Sequence, residues 1–192
     1  MEIVIALVSV AALIIVITIH EFCHALSADK LGDPTPRAYG RLTLNPLAHI
    51  DTLGTIILPL FSALTGLPIL GWAKPTPIDP YNFSHPRRDE TIVAFAGPLS
   101  NFILAFILSR FPYPIAHYIA NISLYLGIFN LFPIPPLDGS KILLNLLPVD
   151  TAVKIESAFE RYGVVLIALL IFSGLLPRLL NPIFSFALSL LY

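Results

Sequence analysis

The sequence predicts an all-α polytopic membrane protein, and three observations carry that prediction. Of 192 residues, 56% are hydrophobic and 12% charged, against about 25% charged in an average soluble domain. Mean hydropathy is +0.83. Several apolar runs approach the length that crosses a bilayer, about 20 residues. In full, the expected architecture is a three-helix core, a short interfacial β-strand region, a re-entrant or surface segment and a C-terminal helical hairpin. One domain is expected over residues 1–192, with its core at about 3–147 and C-terminal helices over 148–192. A net charge of −1 offers no basic face, so nucleic acid is not an expected partner. A single cysteine, Cys23, excludes an internal disulfide framework.

Taken in order, residues 3–28 read as one helix. From Met1 to Ile19 the only polar residues are Glu2, Ser9 and Thr18. That run would rise roughly 28 Å, the thickness of the hydrocarbon layer. It lacks the basic start and small-residue cleavage site of a signal peptide. The stretch Lys30-Leu31-Gly32-Asp33-Pro34 stops it. Residues 37–45, RAYGRLTLN, alternate: Leu42 and Leu44 face one way, Arg41 and Thr43 the other, which predicts a short strand. Bare strand edges are not tolerated against lipid, so this strand belongs at the interface or beside a cavity.

Residues 51–70 are apolar but interrupted by Gly54, Pro59, Gly66 and Pro68. Residues 71–90 form a polar loop. Spanning helices are expected at 91–109 and 114–132. The PIPPLD stretch at 133–138 cannot be regular helix. Residues 139–160 read as an interfacial helix or helix pair. Two short apolar segments, 162–176 and 179–192, complete the chain as a hairpin.

The chemistry concentrates in IHEFCHAL, residues 19–26. On a helix, residues four apart share a face, so His20 and His24 can bind one metal ion. Glu21 adjoins the first ligand and can reach a metal-activated water. This is the H-E-x-x-H division of labour, with zinc lowering the pKa of its water toward about 7. The competing explanation, two hydrogen-bonded core histidines, is weakened by position. Three ionisable residues within five positions of a membrane helix are costly unless they face a protein interior or cavity. A catalytic zinc takes a third protein ligand, for which Asp138, His49, His85, His117 and other carboxylates are candidates. Asp138 is the best of these, because it follows the intramembrane Asn130 and a proline-broken stretch. Broken backbone at membrane depth survives only when buried in protein or lining a cavity. Asp138 also suits the N-cap of a helix starting near Gly139, and the two roles can coexist. Cys23 points away from both histidines and is expected to fill space.

Three motifs in this order, HEFCH at 20–24, AGPLSN at 96–101 and NLFPIPPLDG at 130–139, resemble the site-2 protease family of intramembrane zinc metalloproteases. The similarity covers roughly residues 5–145. It implies His20, His24 and Asp138 as ligands of one Zn2+ and Glu21 as catalytic base. It also implies a transmembrane protein as substrate and the lipid bilayer as surroundings. Asn101 and Asn130 match intramembrane asparagines of the family, with substrate binding as the expected role. Small size and GWAKP at 71–75 resemble its compact prokaryotic branch. Hydrolysis inside a bilayer requires a locally unwound substrate, and the strand at 37–45 could pair with it. The alternative function is a non-proteolytic zinc-binding membrane protein, a metal transporter or a pseudoprotease. Transport would need polar groups on both sides of the metal, and few lie on the outer side. A pseudoprotease normally lacks the base, and Glu21 is present.

Topology follows from one constraint. Asp138 must meet His20 and His24 at one depth, so both ends of segment 29–90 lie on the metal side. Residues 51–70 then cannot cross the membrane once. Nine basic residues, Lys30, Arg37, Arg41, Lys74, Arg87, Arg88, Lys141, Lys154 and Arg161, fall on that side, and two, Arg110 and Arg178, fall opposite. The positive-inside rule makes the metal side cytoplasmic and leaves the N-terminus outside the cell membrane.

Overall fold

A computed structural model describes residues 2–65 and 71–192. The first helix, α1 (Glu2–Lys30), is apolar on every side until its last turns. It ends where only glycine is comfortable. Gly32 has φ 109°, and Asp33 N–H reaches back to the Ala28 carbonyl at 2.9 Å while Gly32 N–H bonds Asp29 at 3.3 Å. This paired closure satisfies carbonyls that the helix end would otherwise orphan.

A short helix α2 (Thr35–Ala38) follows, and there is no strand among the described residues. The strand expected at 37–45 is therefore not there. Pro34 and Pro36 start a helical turn instead, and Gly40, at φ 68°, reverses the chain. Arg41 is buried. Its guanidinium donates to the carbonyls of Ala48 and Lys74, which joins two loops. The local Leu/polar alternation is four residues long, too short to outweigh these ties.

The apolar segment after Asp51 begins as a π-helical turn, Thr52–Ile57, and continues as α3 (Leu58–Thr65). Residues 66–70, part of the segment expected to be re-entrant or surface-lying, lie outside the described residues. The chain is back beside its starting point at Trp72, whose N–H donates to the Gly54 carbonyl at 3.1 Å. Thr55 Oγ1 in turn donates to the Trp72 carbonyl at 2.8 Å. Both ends of the excursion thus share one level.

Next comes α4 (Pro86–Leu108), opened by proline at its first turn and carrying Pro98 within. Then come α5 (Pro114–Asn130), α6 (Asp138–Leu146), α7 (Val149–Phe172) and α8 (Leu175–Leu191). Among the described residues two helices are long and apolar enough to cross a membrane, Ile3–Lys30 and Pro86–Leu108; α5, expected to span, has 17 residues and is not one of them. A third crossing is possible if Arg161–Phe172 and Leu175–Leu191 act as one broken span. That last pair is bent by 74°, a corner and not the antiparallel hairpin expected. Gly174, in the left-handed region at φ 71°, turns the chain there. Ile3, Ile5 and Leu7 on α1, Phe106 and Ile107 on α4, and Leu169 and Phe172 on α7 are all exposed. Apolar surface of that extent suits lipid, not water.

α4 packs against both α1 and α5. On the α5 side, Ala105, Ala120, Leu124 and Ile128 form a core with Leu176 and Leu180 of α8. At the other end, Arg87 of α4 donates to the Leu144 carbonyl at 3.0 Å and to that of Leu147. Asn145 donates to Glu90 at 3.0 Å. These bonds hold α6 against the start of α4.

Asp33 ties the end of α1 to the chain entering α4. It is wholly buried and accepts from Thr35 N–H at 3.0 Å, Asp79 N–H at 2.8 Å and Asn82 Nδ2 at 2.8 Å. Burial by itself would raise this carboxyl, but the hydrogen bonds from Thr35, Asp79 and Asn82 outweigh it and hold the group below its ordinary value. Its stabilisation is therefore present above about pH 4, the ordinary carboxyl range, and is lost as pH falls through the lowered folded value. Asp33→Ala is expected to cost about 1–3 kcal/mol and to lack this acid-side loss. Denaturant midpoints in detergent between pH 3 and pH 7 check it, and identical curves for the two proteins would contradict it.

Candidate metal centre

His20 and His24 lie one turn apart on α1, and both are buried. Their Nε2 atoms are 3.0 Å apart. Asp138 Oδ2, at the first residue of α6, lies 3.2 Å from His20 Nε2 and 3.3 Å from His24 Nε2. The three residues form a cluster able to hold a metal ion. Tetrahedral zinc with bonds of roughly 2.0–2.1 Å spaces its ligands about 3.3 Å apart, so the donor set fits. Two nitrogens and one carboxylate oxygen are also donors that zinc accepts. Asp138 Oδ2 is buried yet has no well-formed hydrogen bond, which leaves its lone pairs facing the space between the rings.

Three sequence choices make this convergence possible. The first is Gly97 in α4, where a Cβ would collide with both imidazoles. The second is Gly139, where a Cβ would collide with the Leu131 and Phe132 backbone at the end of α5. Only glycine lets the start of α6 abut α5 so closely. The third is the proline run after Asn130, which ends α5 and turns the chain into α6. The cap of α6 is Leu137, and its side chain makes no capping bond. Asp138, the first residue inside the helix, directs its carboxylate to the histidines instead.

Each imidazole is also held from behind. His24 Nδ1 lies 2.7 Å from the Val93 carbonyl oxygen. His20 Nδ1 lies 3.1 Å from the Asn101 side-chain amide. The Glu21 side chain is tied to a loop residue, Thr76. Its Oε2 accepts from Thr76 N–H at 2.9 Å and from Thr76 Oγ1 at 2.7 Å. Thr76 was not singled out by sequence reasoning. It stands between Pro75 and Pro77, 55 positions from Glu21, and no periodicity links a loop residue to a helix over that distance.

The remaining candidates lie elsewhere. His49 is buried, with Nε2 2.8 Å from the Thr43 carbonyl oxygen. His85 precedes α4 and its N–H donates to Asp89 at 3.0 Å. His117 packs its ring 4.9 Å from that of Tyr192. Asn130 Nδ2 donates to the Leu126 carbonyl at 3.0 Å, within its own helix. Cys23 is half-buried and free.

Comparison with known proteins decides the family. The sequence pattern of peptidase family M50 matches residues 112–173. YwhC of Bacillus subtilis is 36% identical over 194 aligned residues, covering 92% of this chain and 85% of its own length. The chain belongs to peptidase family M50. This is the site-2 protease family that the three motifs resemble. A second M50 relative, Rip2 of Mycolicibacterium smegmatis, is 30% identical over 183 residues, 88% of this chain and 68% of its own length. Both relatives carry the description "Putative zinc metalloprotease". The zinc metalloprotease MJ0392 of Methanocaldococcus jannaschii is 37% identical over 71 residues, 32% of this chain and 21% of its own length. No solved structure matches the chain.

Gly97→Ala is expected to reduce the zinc retained on purification at least tenfold, because the added methyl displaces two ligand rings and such shifts cost about 10–100-fold in affinity. Metal analysis of the purified protein checks this. Full zinc content in the variant would show that the α1–α4 approach is not what sets the ring positions.

Proposed function

We propose that this protein is a zinc-dependent intramembrane endopeptidase that cleaves transmembrane segments of membrane proteins. The observation that carries the reading is the meeting of His20 Nε2 and His24 Nε2, on a helix otherwise built for lipid, with Asp138 Oδ2 of α6, all within 3.3 Å. Membership of a family whose relatives are named zinc metalloproteases supports the metal. One zinc ion per chain, held by these three residues, would supply a Lewis acid and lower the pKa of a coordinated water toward about 7.

Glu21 is the proposed general base. It precedes the second ligand on the same turn of α1, and its carboxylate is anchored by Thr76. The carboxylate takes a proton from the attacking water and returns it to the departing amine. Thr76 restricts the carboxylate to one orientation, so the proton is received and released at one place. A bilayer substrate must first be unwound, since its backbone groups are paired within its own helix. Asn130, near the end of α5, remains the residue proposed to contact the substrate. The metal side is proposed to face the cytoplasm, with the N-terminus outside the cell membrane, on the bias of nine basic residues against two.

The deciding experiment pairs zinc content with cleavage of a transmembrane peptide in detergent. Wild type is expected to hold about one zinc and to cleave, and Glu21→Gln to keep the zinc and lose cleavage. If both hold zinc and neither cleaves a helix-destabilised substrate, a binding or transport role replaces this one. Thr76→Val keeps the N–H but removes the hydroxyl. It should lower kcat roughly tenfold, the equivalent of one charge-assisted hydrogen bond, with zinc content unchanged. An unaltered kcat would remove Thr76 from the mechanism.

A further inference from the structure

Asn101 touches the metal centre without a part in the mechanism above. It is wholly buried in the middle of α4. Its backbone carbonyl accepts from Ser123 Oγ of α5 at 2.9 Å, which fixes this turn of the helix. One atom of its side-chain amide lies 3.1 Å from His20 Nδ1, and the other has no partner. The two ends of an amide have nearly the same shape, so the imidazole decides which end faces it.

A neutral imidazole has one N–H and one lone pair. His20 Nε2 is the nitrogen that meets His24 and Asp138. If it gives its lone pair to a cation, the proton sits on Nδ1 and needs an acceptor. The amide nitrogen cannot accept; the amide oxygen can. We infer that Asn101 is a positioning residue for His20. Its amide oxygen accepts Nδ1–H and fixes the tautomer and ring angle that aim Nε2 at the metal. This rests on the zinc reading given above.

The neighbouring histidine supports the assignment independently. His24 Nδ1 lies 2.7 Å from the Val93 carbonyl oxygen, which can only accept, so His24 carries its proton on Nδ1 as well. Val93, Gly97 and Asn101 are spaced by four along α4 and share one face. The outer two supply acceptors, and the glycine between them leaves room for both rings. One stripe of α4 therefore orients both histidines. Such partners usually tune metal affinity by 10–100-fold.

The test uses the full chain in detergent, with zinc affinity measured by chelator competition and the visible spectrum of the cobalt-substituted protein. Asn101→Leu removes the acceptor at similar size. It is expected to weaken zinc binding by about 10–100-fold and to alter the cobalt bands. Asn101→Asp presents only acceptors and is expected to restore affinity and spectrum to near wild type. Wild-type affinity in Asn101→Leu, even with a raised KM, would overturn the inference and make Asn101 a substrate or packing residue. A loss in Asn101→Asp as large as in Asn101→Leu would also overturn it, because the amide would then act as a donor. If Asn101→Leu does not fold, Asn101→Asp decides alone: near-wild-type affinity supports the inference, and a loss of about tenfold or more overturns it. Absence of zinc from the wild type would overturn the metal reading itself, a result distinct from a zinc-loaded wild type with an indifferent Asn101→Leu.

Discussion

Ionisable groups at membrane depth persist only when they answer one another. In this protein His20, His24 and Asp138 do so, and the packing of the surrounding helices serves their meeting. α1 brings the two histidines, one turn apart. α6 brings the aspartate from more than a hundred residues away in sequence. α4 lies between, touching both helices, and carries the residues that hold the rings from behind. A polar cluster in an apolar setting is specified more sharply than an apolar core, because a partly satisfied network costs more than none.

Close approach is the second requirement. Gly97 and Gly139 lie where any side chain would fill the space the ligands need. Neither glycine is used for an unusual backbone angle, since both lie within helices. Their value is the absent Cβ. Pro98, next to Gly97, contributes no N–H to its turn. The motif AGPLSN thus combines a missing side chain, a missing donor and an asparagine within one turn and a half.

Much of this was legible in the sequence. Four-residue spacing put His20 and His24 on one face before any coordinates, and the proline run singled out Asp138 from the other candidates. The lipid-facing helices followed from composition. What stayed hidden depends on tertiary contact. Thr76 reaches Glu21 from a loop, and nothing in K-P-T-P-I reports where that loop folds. Asn101 was singled out by its match to the family motif, but its neighbour His20 could not be read. The strand at 37–45 was misread because four alternating residues resemble one, whereas Arg41 spends its donors on two loop carbonyls. The reversal expected between segments 162–176 and 179–192 is instead a corner at Gly174. Its angle is set by what α7 and α8 pack against.

The buried Asp33 has a consequence beyond stability. It fastens the chain at 33–35 to the chain at 79–82, closing the long connection between α1 and α4 at its base. The relative placement of His24 and Val93 is then independent of how that connection is shaped farther out. The loop between these two points can vary in length and sequence while the histidines stay in register, provided that Thr76 still reaches Glu21. The cluster of His20, His24 and Asp138 can thus keep its shape while the surface presented by that connection changes.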